Sequence, residues 1–278
     1  MTGLLSPRRP IPRPFYWGSA ALGFVVLLCV WEWAAGYYAA QGKQVLFPSP
    51  AAVGQVVQNM VRGATTGQEP AAREFQNFAA DLRISFFRVT AAFALAALTA
   101  IPLGVMIGSY RVGEAFIQPV TEFIRYIPVP ALIPLLIVIF GIEETSKIML
   151  IYLGTFFQLM LMVSDEIRRV PYDLVQAVYT MGGTRREAVT EVLLPASWPG
   201  IVDALRLCNG WAWSWLIVAE LVAANEGMGF RIVKYQRFLQ TDKIFFYLVA
   251  LGVIGLLLDL AFRLFSKIAF RWNVAARN

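Results

Sequence analysis

Ionisable residues inside long apolar runs are the side chains of this sequence best placed to act on a ligand. Asp203 and Arg206, three residues apart, are expected to pair with each other, as are Asp259 and Arg263, four residues apart. Glu220 ends the run WLIVAE, where a structural hydrogen bond and a contact on a ligand path are equal alternatives. The chain has no histidine, which removes histidine metal ligands, bases and proton relays. We expect no catalytic residue and no metal site.

Neutral donors and broken backbone form a second group of candidates. Trp211 and Trp215 share one helix face, with packing or a membrane-interface position as the alternative. Prolines in another apolar run would leave backbone groups that need partners in a bundle or a cavity. Such dipoles suit an anion within a membrane better than a cation, which would require carboxylates. The candidates for a translocation path are Pro128, Pro130, Asn209, Trp211, Ser214, Trp215 and Glu220.

The composition predicts an integral, all-α membrane protein. Of the 278 residues, 58% are hydrophobic and 15% are charged, whereas soluble domains carry about 25% charged residues. The net charge of +6 suits cytoplasmic loops and anionic headgroups, and it does not indicate nucleic acid. A membrane-crossing helix needs about 20 apolar residues. Six runs qualify: 15–38, 84–108, 120–141 (kinked by prolines), 145–164, 198–224 and 244–265.

These runs divide the chain into an ordered series of segments. Ser49 and Pro50 predict the start of a short amphipathic helix on the membrane surface. A cytoplasmic N-terminus would place Arg111, Arg125 and Arg168 in inner loops, a weak preference by the positive-inside rule. The expected segments are a tail (1–14), a first span (15–40), an extracytoplasmic segment with the surface helix (41–80), a five-helix core (81–266, with a loop at 165–197) and a C-terminal tail (267–278).

The stretch QAVYTMGGTRREAVTEVLLP predicts two short helices between two spans. The first follows Pro171 and ends at Gly182 and Gly183, since glycine allows a left-handed turn. Thr184 and Glu187 have the spacing of a capping box that starts the second helix. Pro195 is expected to end it. The glycines are not part of a phosphate-binding loop, because no Lys-Ser/Thr pair follows at the required spacing.

Three interpretations of this two-helix segment compete. A DNA-binding helix–turn–helix is excluded, because spans begin within a few residues on both sides and keep the unit from a major groove. A solvated connector without a partner is the second interpretation. The third is a docking element whose apolar face enters a groove on a cytoplasmic protein.

The spacing of this segment resembles the EAA loop of ABC-importer permeases. Gln176, Ala177 and Val178 occupy the E-A-A positions, and Gly182 occupies the glycine position. Val192 and the pair Leu194-Pro195 complete the pattern. Glutamine, valine and valine replace the usual glutamate, alanine and isoleucine, so the charge of the family's glutamate is missing. The phrases LFPSP, RYIPVPALIPLLIVIFGI and GWAWSWLIVAEL resemble the nitrate, sulfonate, taurine and bicarbonate branch, and the resemblance covers nearly the whole chain.

The resemblance implies a type I ABC-importer permease fold with six transmembrane helices and a cytoplasmic coupling helix. It implies a transport subunit without cofactors of its own, with ATP and magnesium bound by two partner ATPase subunits. It further implies an extracytoplasmic binding protein, a second permease chain, simplest as a homodimer, contact with lipid, a bacterial inner membrane location and cytoplasmic termini. The residues implied in coupling are Gln176, Ala177, Val178, Gly182, Gly183, Thr184, Arg185, Arg186 and Glu187.

The expected substrate is a small anion such as nitrate, a sulfonate including taurine, or bicarbonate. A neutral pyrimidine-type precursor is the alternative, because the same uncharged lining would pass a heterocycle. An ion-coupled carrier or channel is a third hypothesis. It would require an array of ionisable groups within the membrane and no ATPase-docking segment.

Overall fold

The described part of the chain folds into helices. A computed structural model describes residues 12–67, 69 and 71–272, and in these ranges it contains no strand. The α-helices, in order, are α1 (Arg13–Ala40), α2 (Pro50–Thr66), α3 (Ala71–Ser109), α4 (Arg111–Arg125), α5 (Ile133–Phe140), α6 (Glu144–Arg168), α7 (Tyr172–Thr180), α8 (Arg185–Glu187), α9 (Leu194–Ala223), α10 (Met228–Arg237) and α11 (Thr241–Ala269). A 3₁₀ turn (Val129–Leu132) precedes α5, and a π-helical stretch (Ala188–Leu193) precedes α9.

The chain divides into two compact units. The first comprises the residues up to Phe75 together with Lys234–Leu248, and the second comprises Gln76–Val233 with the residues from Val249 onward. Residues 1–11 and 273–278 of the expected terminal tails lie outside the described residues.

The first unit contains α1, most of whose apolar side chains are exposed, as in a lipid-facing helix. The predicted start of α2 is confirmed, because the Ser49 hydroxyl accepts a hydrogen bond of 3.2 Å from the Ala52 backbone N–H. One face of α2 is buried through Val53, Val56 and Met60. Its position on the membrane surface stays a prediction.

The second unit is built on α3, α6 and α9. One apolar cluster joins residues such as Val89 of α3, Ile151 of α6 and Leu216 of α9, and a second joins Ala100, Leu159 and Ile201 of the same helices. Small residues allow α3 to approach α6 closely. A Cβ on Gly104 would lie 2.6 Å from the Met160 carbonyl oxygen, and one on Gly108 would lie 2.7 Å from the Ile167 Cβ. The G-x-x-x-G spacing therefore serves packing.

The proline-containing third run is broken rather than kinked. The axis of α4 and that of the segment Val129–Phe140 differ by 88°. Pro128, Pro130 and Pro134 lack N–H groups, so the backbone cannot continue the hydrogen-bond ladder of α4. The expected kink of the run 120–141 is therefore present as a complete break, so the run is not one continuous helix.

Four described helices are long and apolar enough to cross a membrane: α1, α3, α6 and α11. The bent pair of α4 and Val129–Phe140 gives a fifth if it counts as one span. α9 has 30 residues, a length of about 45 Å, but it carries Asp203, Arg206 and Glu220. Six spans stays a prediction, with α9 as the sixth by length. α3 begins before the apolar run expected from residue 84 and takes in part of the segment 41–80.

Candidate functional site

The glycines of the two-helix segment lie where the chain turns between α7 and α8. Gly182 has a φ of +83°, a conformation that L-residues with a side chain rarely adopt. The N–H of Gly182 donates to the Tyr179 carbonyl at 3.0 Å, and that of Gly183 donates to the Val178 carbonyl at 2.9 Å. The predicted glycine turn is confirmed. Gly182 is required for its backbone and Gly183 for space, since a Cβ there would lie 2.5 Å from Val178 Cγ1.

The predicted capping box at the start of α8 is confirmed. The Thr184 backbone N–H donates to the Glu187 carboxylate at 2.6 Å, and the Glu187 N–H donates to the Thr184 hydroxyl at 3.3 Å. The hydrogen bond from the Thr184 N–H lowers the pKa of Glu187 below its ordinary value, because it stabilises the charged carboxylate. The second helix thus starts at a defined residue.

The expectation that Pro195 ends the second helix is wrong. The chain passes from α8 through the π-helical stretch Ala188–Leu193 into α9, and Pro195 lies in the first turn of α9. A proline is tolerated at this position because the first N–H groups of a helix have no intrahelical partner. The wider π turn just before it lets the helix continue. The two-helix segment is therefore joined to a core helix by continuous helical backbone.

Most of the predicted coupling residues are exposed. Gln176, Ala177, Gly182 and the four residues Thr184–Glu187 are exposed, whereas Val178 and Gly183 are half-buried. Only Val175 of α7 is buried, and Leu174 and Met181 present apolar surface outward. The segment thus offers small, apolar and basic side chains together, as a surface that enters a protein groove requires.

A cavity of about 290 Å³, here called the central cavity, lies between the end of α4, the Val129–Leu132 turn, α6 and α9. Three of the predicted path residues line it: Trp211, Ser214 and Trp215. Pro128 and Pro130 are absent from its lining and shape it only through the break that they cause. None of the described residues that line it is acidic.

Asn209 lies elsewhere, in a cavity of about 460 Å³ between α9 and α11. Trp213 and Ser214 also line this second cavity, so Trp213 lies on a different side of α9 from Trp211 and Trp215. Ser214 contributes to both cavities. The predicted path residues of α9 are therefore divided between two faces of that helix.

Two polar residues of the central cavity were missed by sequence reasoning: Arg125 and Gln158. Arg125 was expected in a cytoplasmic loop, but it lies at the end of α4 beside residues from the middle of α6 and α9. Gln158 is half-buried in the middle of α6. Periodicity alone could not place Arg125, because the broken helix turns it toward the core helices.

Glu220 lies in a buried cluster and not in either cavity. Its carboxylate accepts hydrogen bonds from Arg88 at 2.7 Å, from the Ser85 hydroxyl at 2.7 Å and from the Gly229 backbone N–H at 2.8 Å. Of the two alternatives for Glu220, the observed contacts are those of a structural hydrogen bond.

The same cluster contains further charged groups. Arg88 also donates two hydrogen bonds to Glu144, at 2.6 and 2.7 Å, and Lys147 donates to Glu144 at 2.8 Å. Nearby, Arg231 pairs with the buried Asp81 at 2.7 Å. Residues far apart in the sequence thus form an ion-pair network that joins α3, α6, α9 and α10, here called the buried cluster.

The two predicted helical pairs are present, and one of them is shared. Arg263 pairs with Asp259 at 2.6 Å, and Arg206 lies 3.8 Å from Asp203. Arg206 is also 3.5 Å from Asp259, so one carboxylate faces two arginines on α9 and α11. This set borders the α9–α11 cavity and is half-buried to exposed.

The sequence is similar to those of several permeases. It is 34% identical to a probable ABC transporter permease of Brucella abortus (strain 2308), over 70% of this chain and 78% of that protein. It is 28% identical to the putative aliphatic sulfonates transport permease protein SsuC of Bacillus subtilis (strain 168), over 96% and 91% of the two chains. It is 33% identical to the taurine transport system permease protein TauC of Escherichia coli (strain K12), over 69% and 70%.

The fold is similar to that of a chain from an inward-facing MetNI methionine ABC transporter. The TM-score is 0.61 at 20% sequence identity, and the match covers 72% of this chain and 98% of that one. This likeness shows the type I permease fold. Residues 100–271 match the family model described as binding-protein-dependent transport system inner membrane component. The chain belongs to this family, the membrane-spanning permease subunits of ABC importers, in which a separate subunit hydrolyses ATP.

Proposed function

We propose that this permease carries a small anion inward, of the class that contains sulfonates, taurine, nitrate and bicarbonate. Permeases named for aliphatic sulfonates and for taurine are similar over most of the chain. The observation that carries the proposal is the lining of the central cavity, which combines polar donors with aromatic rings and includes no described carboxylate. A path lined in this way lowers the cost of holding an anion, and its described residues offer no carboxylate to a metal cation.

The substrate class is tested by uptake into vesicles that contain the permease, its ATPase and its binding protein. Labelled taurine, nitrate, bicarbonate and a pyrimidine are compared with and without ATP. We expect ATP-dependent accumulation of at least one of taurine, nitrate and bicarbonate. Accumulation of the pyrimidine alone would show that the neutral alternative is correct and the anion proposal wrong.

The segment from Pro171 to Pro195 is proposed to dock on the ATPase. Its exposed residues, its glycine turn and its continuous helical junction with α9 support the proposal, because movement of the segment would be passed to the helix that lines the central cavity. The residues proposed in coupling are Gln176, Ala177, Val178, Gly182, Gly183, Thr184, Arg185, Arg186 and Glu187.

Replacing Gly182 tests the docking proposal. A β-branched residue at a φ of +83° is strained by about 1–2 kcal/mol, so Gly182→Val should distort the turn and abolish transport while membrane insertion persists. Gly182→Asn is the matched control, because asparagine tolerates left-handed backbone. Binding-protein-stimulated ATP hydrolysis and uptake are the measurements. Normal uptake by Gly182→Val at normal expression would remove the docking proposal.

The complete transporter is proposed to contain two copies of this chain, two ATPase subunits that bind ATP and magnesium, and a binding protein, all at the inner membrane of a bacterium. With the docking segment in the cytoplasm, the termini are cytoplasmic and α2 is extracytoplasmic. Native mass spectrometry of the purified complex tests the stoichiometry. Cysteine labelling at position 66, with Cys29 and Cys208 replaced, tests the orientation, and labelling from the cytoplasmic side only would reverse it.

A further inference from the structure

Arg125 is a charged side chain of the central cavity that lacks an acidic partner among the described residues. Its recorded contacts are with its neighbour Tyr126, at 3.4 Å from the hydroxyl and 5.1 Å from the ring centroid. The nearest acid in the sequence, Glu122, accepts a hydrogen bond from Gln118 at 2.7 Å instead. A cation within a membrane protein is costly unless it is paired or faces a water-filled path. Arg125 is therefore available to an anion from outside the chain.

Gln158 gives a second, independent indication at the same cavity. It is half-buried on α6, a helix long enough to cross the membrane, and its amide makes no hydrogen bond to another described residue. Its amide is accessible from the cavity and is therefore free to donate to a bound ligand or to water. Two polar side chains from different helices thus face one cavity with unused donors.

The rest of the lining favours a site for a small anion. The indoles of Trp211 and Trp215 can donate from Nε1 but cannot accept, and Ser214 adds a hydroxyl. Gly154 makes room for Trp215, since a Cβ there would lie 2.6 Å from the indole Cδ1. A volume of about 290 Å³ is at the lower end for ligand pockets and suits an ion of a few heavy atoms.

We propose that Arg125 and Gln158 form an anion-selective site inside the membrane path, where the guanidinium binds an oxyanion through paired N–H groups and the amide adds a further donor. The inference rests on the proposed import of anions and deepens it. Selection by charge is then made in the permease as well as in the binding protein. A neutral solute of the same size would pass this site with less favourable contacts.

A cysteine introduced by Leu153→Cys, with Cys29 and Cys208 replaced, reports the charge preference of the central cavity without transport, because Leu153 lines this cavity and not the one between α9 and α11. It is modified with the anionic sulfonatoethyl methanethiosulfonate and the cationic trimethylammonioethyl methanethiosulfonate, in the complete transporter in nanodiscs. We expect the anionic reagent to be favoured, and we expect Arg125→Gln to lower the ratio of the two rates by about tenfold or more. Arg125→Lys should keep most of the preference.

Two further variants separate the charge of Arg125 from other charges and test the amide of Gln158. Arg111→Gln removes an arginine of the same helix that does not line the central cavity, and it should leave the ratio unchanged. Gln158→Leu removes no charge, so it should preserve the ratio while weakening, by severalfold, the protection of the introduced cysteine by ethanesulfonate. This variant decides the question if Arg125→Gln does not accumulate in the membrane.

The outcomes separate this inference from the proposed substrate class. A rate ratio that is the same with and without Arg125, or ethanesulfonate protection that survives Gln158→Leu, would overturn the anion site even if anions are transported. Failure of anion uptake, with a rate ratio that still depends on Arg125, would overturn the proposed substrate and leave the site in place. A rate ratio lowered by Arg125→Gln and a protection weakened by Gln158→Leu, with normal melting temperatures, support the anion site, and ATP-dependent anion uptake by the wild type supports the substrate class.

Discussion

The buried cluster around Arg88 and the central cavity around Arg125 are two charged regions of the same unit. They differ in whether the arginine is paired with carboxylates. Arg88 has a relative exposure of 2% and donates to two carboxylates and to the Glu226 carbonyl. Arg125 is exposed to a cavity and has no acidic partner among the described residues. Both side chains lie near residues of α6 and α9. The two arginines therefore differ in their ion pairing and not only in their location.

The buried cluster holds the backbone of the turn between α9 and α10 in place. Glu220 accepts from the Gly229 N–H, Asp81 accepts from the Gly227 N–H at 3.1 Å, and Arg88 donates to a carbonyl of the same turn. Gly227 has a φ of +116°, and an added Cβ would contact the Glu220 carboxylate, so only glycine fits there. The cluster thus fixes the turn between α9 and α10 against α3. At the central cavity, by contrast, Arg125 makes no hydrogen bond to a backbone group of the described residues, so its donors remain available to a ligand.

The largest expected effect is that of removing Arg88. Arg88→Met leaves Glu144 and Glu220 without their main partner, and breaking a buried pair costs about 3–5 kcal/mol. The melting temperature of the detergent-solubilised permease should fall by about 10 °C. Differential scanning fluorimetry gives the measurement.

Arg125→Met is the matched control, because it makes the same chemical change where no acid is left behind. Its melting temperature should stay within about 2 °C of the wild type. Equal losses for the two variants would remove the distinction between a structural and a ligand-binding arginine. Glu220→Gln should lie between them, since Arg88 keeps Glu144 as a partner.

Local features of this fold could be predicted from sequence, and long-range ones could not. The glycine turn at Gly182, the capping box at Thr184 and the N-cap at Ser49 each depend on a few adjacent residues, and all three are confirmed. The partners Ser85 and Glu220 lie on different helices, and no periodicity brings them together.

Arg125 shows a further reason for failure. The positive-inside rule assigned it to an inner loop although it lies inside the run 120–141, whereas the proline break redirects the chain and leaves the arginine beside α6 and α9. At Pro195 a helix end was predicted where the helical backbone continues. The rule that proline ends a helix did not take into account the π-helical stretch that precedes it. Both errors arise where the regular helix is interrupted.

A smaller effect is expected at Asp259, which faces Arg206 and Arg263 but is a third exposed. Solvent screens such pairs, and each contributes about 0.2–1 kcal/mol. Asp259→Asn should lower the melting temperature by about 1–3 °C. A double-mutant cycle with Arg206→Gln measures the coupling between the two side chains.

Asp203→Asn is the control for Asp259, because its oxygen is farther from Arg206, at 3.8 Å, and its side chain is more exposed. It should change the melting temperature by less than Asp259→Asn. A loss at Asp259 as large as that at Arg88 would show that burial does not separate these ion pairs.

The smallest effect is expected at Glu187, an exposed carboxylate whose partner is a backbone N–H. Its pKa is below the ordinary value in the folded state, so its contribution to the capping box is complete above the unfolded-state pKa of a glutamate. That contribution is lost as the pH falls through the lowered pKa of the folded state. At neutral pH the carboxylate is charged in both states, and the docking segment keeps its cap.

Hydrogen exchange of the Thr184 amide in nanodiscs can detect this change. The exchange rate of the wild type is divided by that of Glu187→Gln at each pH, which cancels the intrinsic dependence of exchange on pH. We expect the amide to be better protected in the wild type at pH 6–7 and the two rates to converge as the pH falls through the lowered pKa of Glu187, because protonated glutamate and glutamine are similar acceptors. Thr184→Ala removes the hydroxyl that the Glu187 N–H donates to, and should fray the start of α8 at every pH. A ratio of exchange rates that stays constant with pH would show that the charge of Glu187 does not stabilise the cap. Exposed charges outside the buried cluster would then contribute to stability through hydrogen bonds alone.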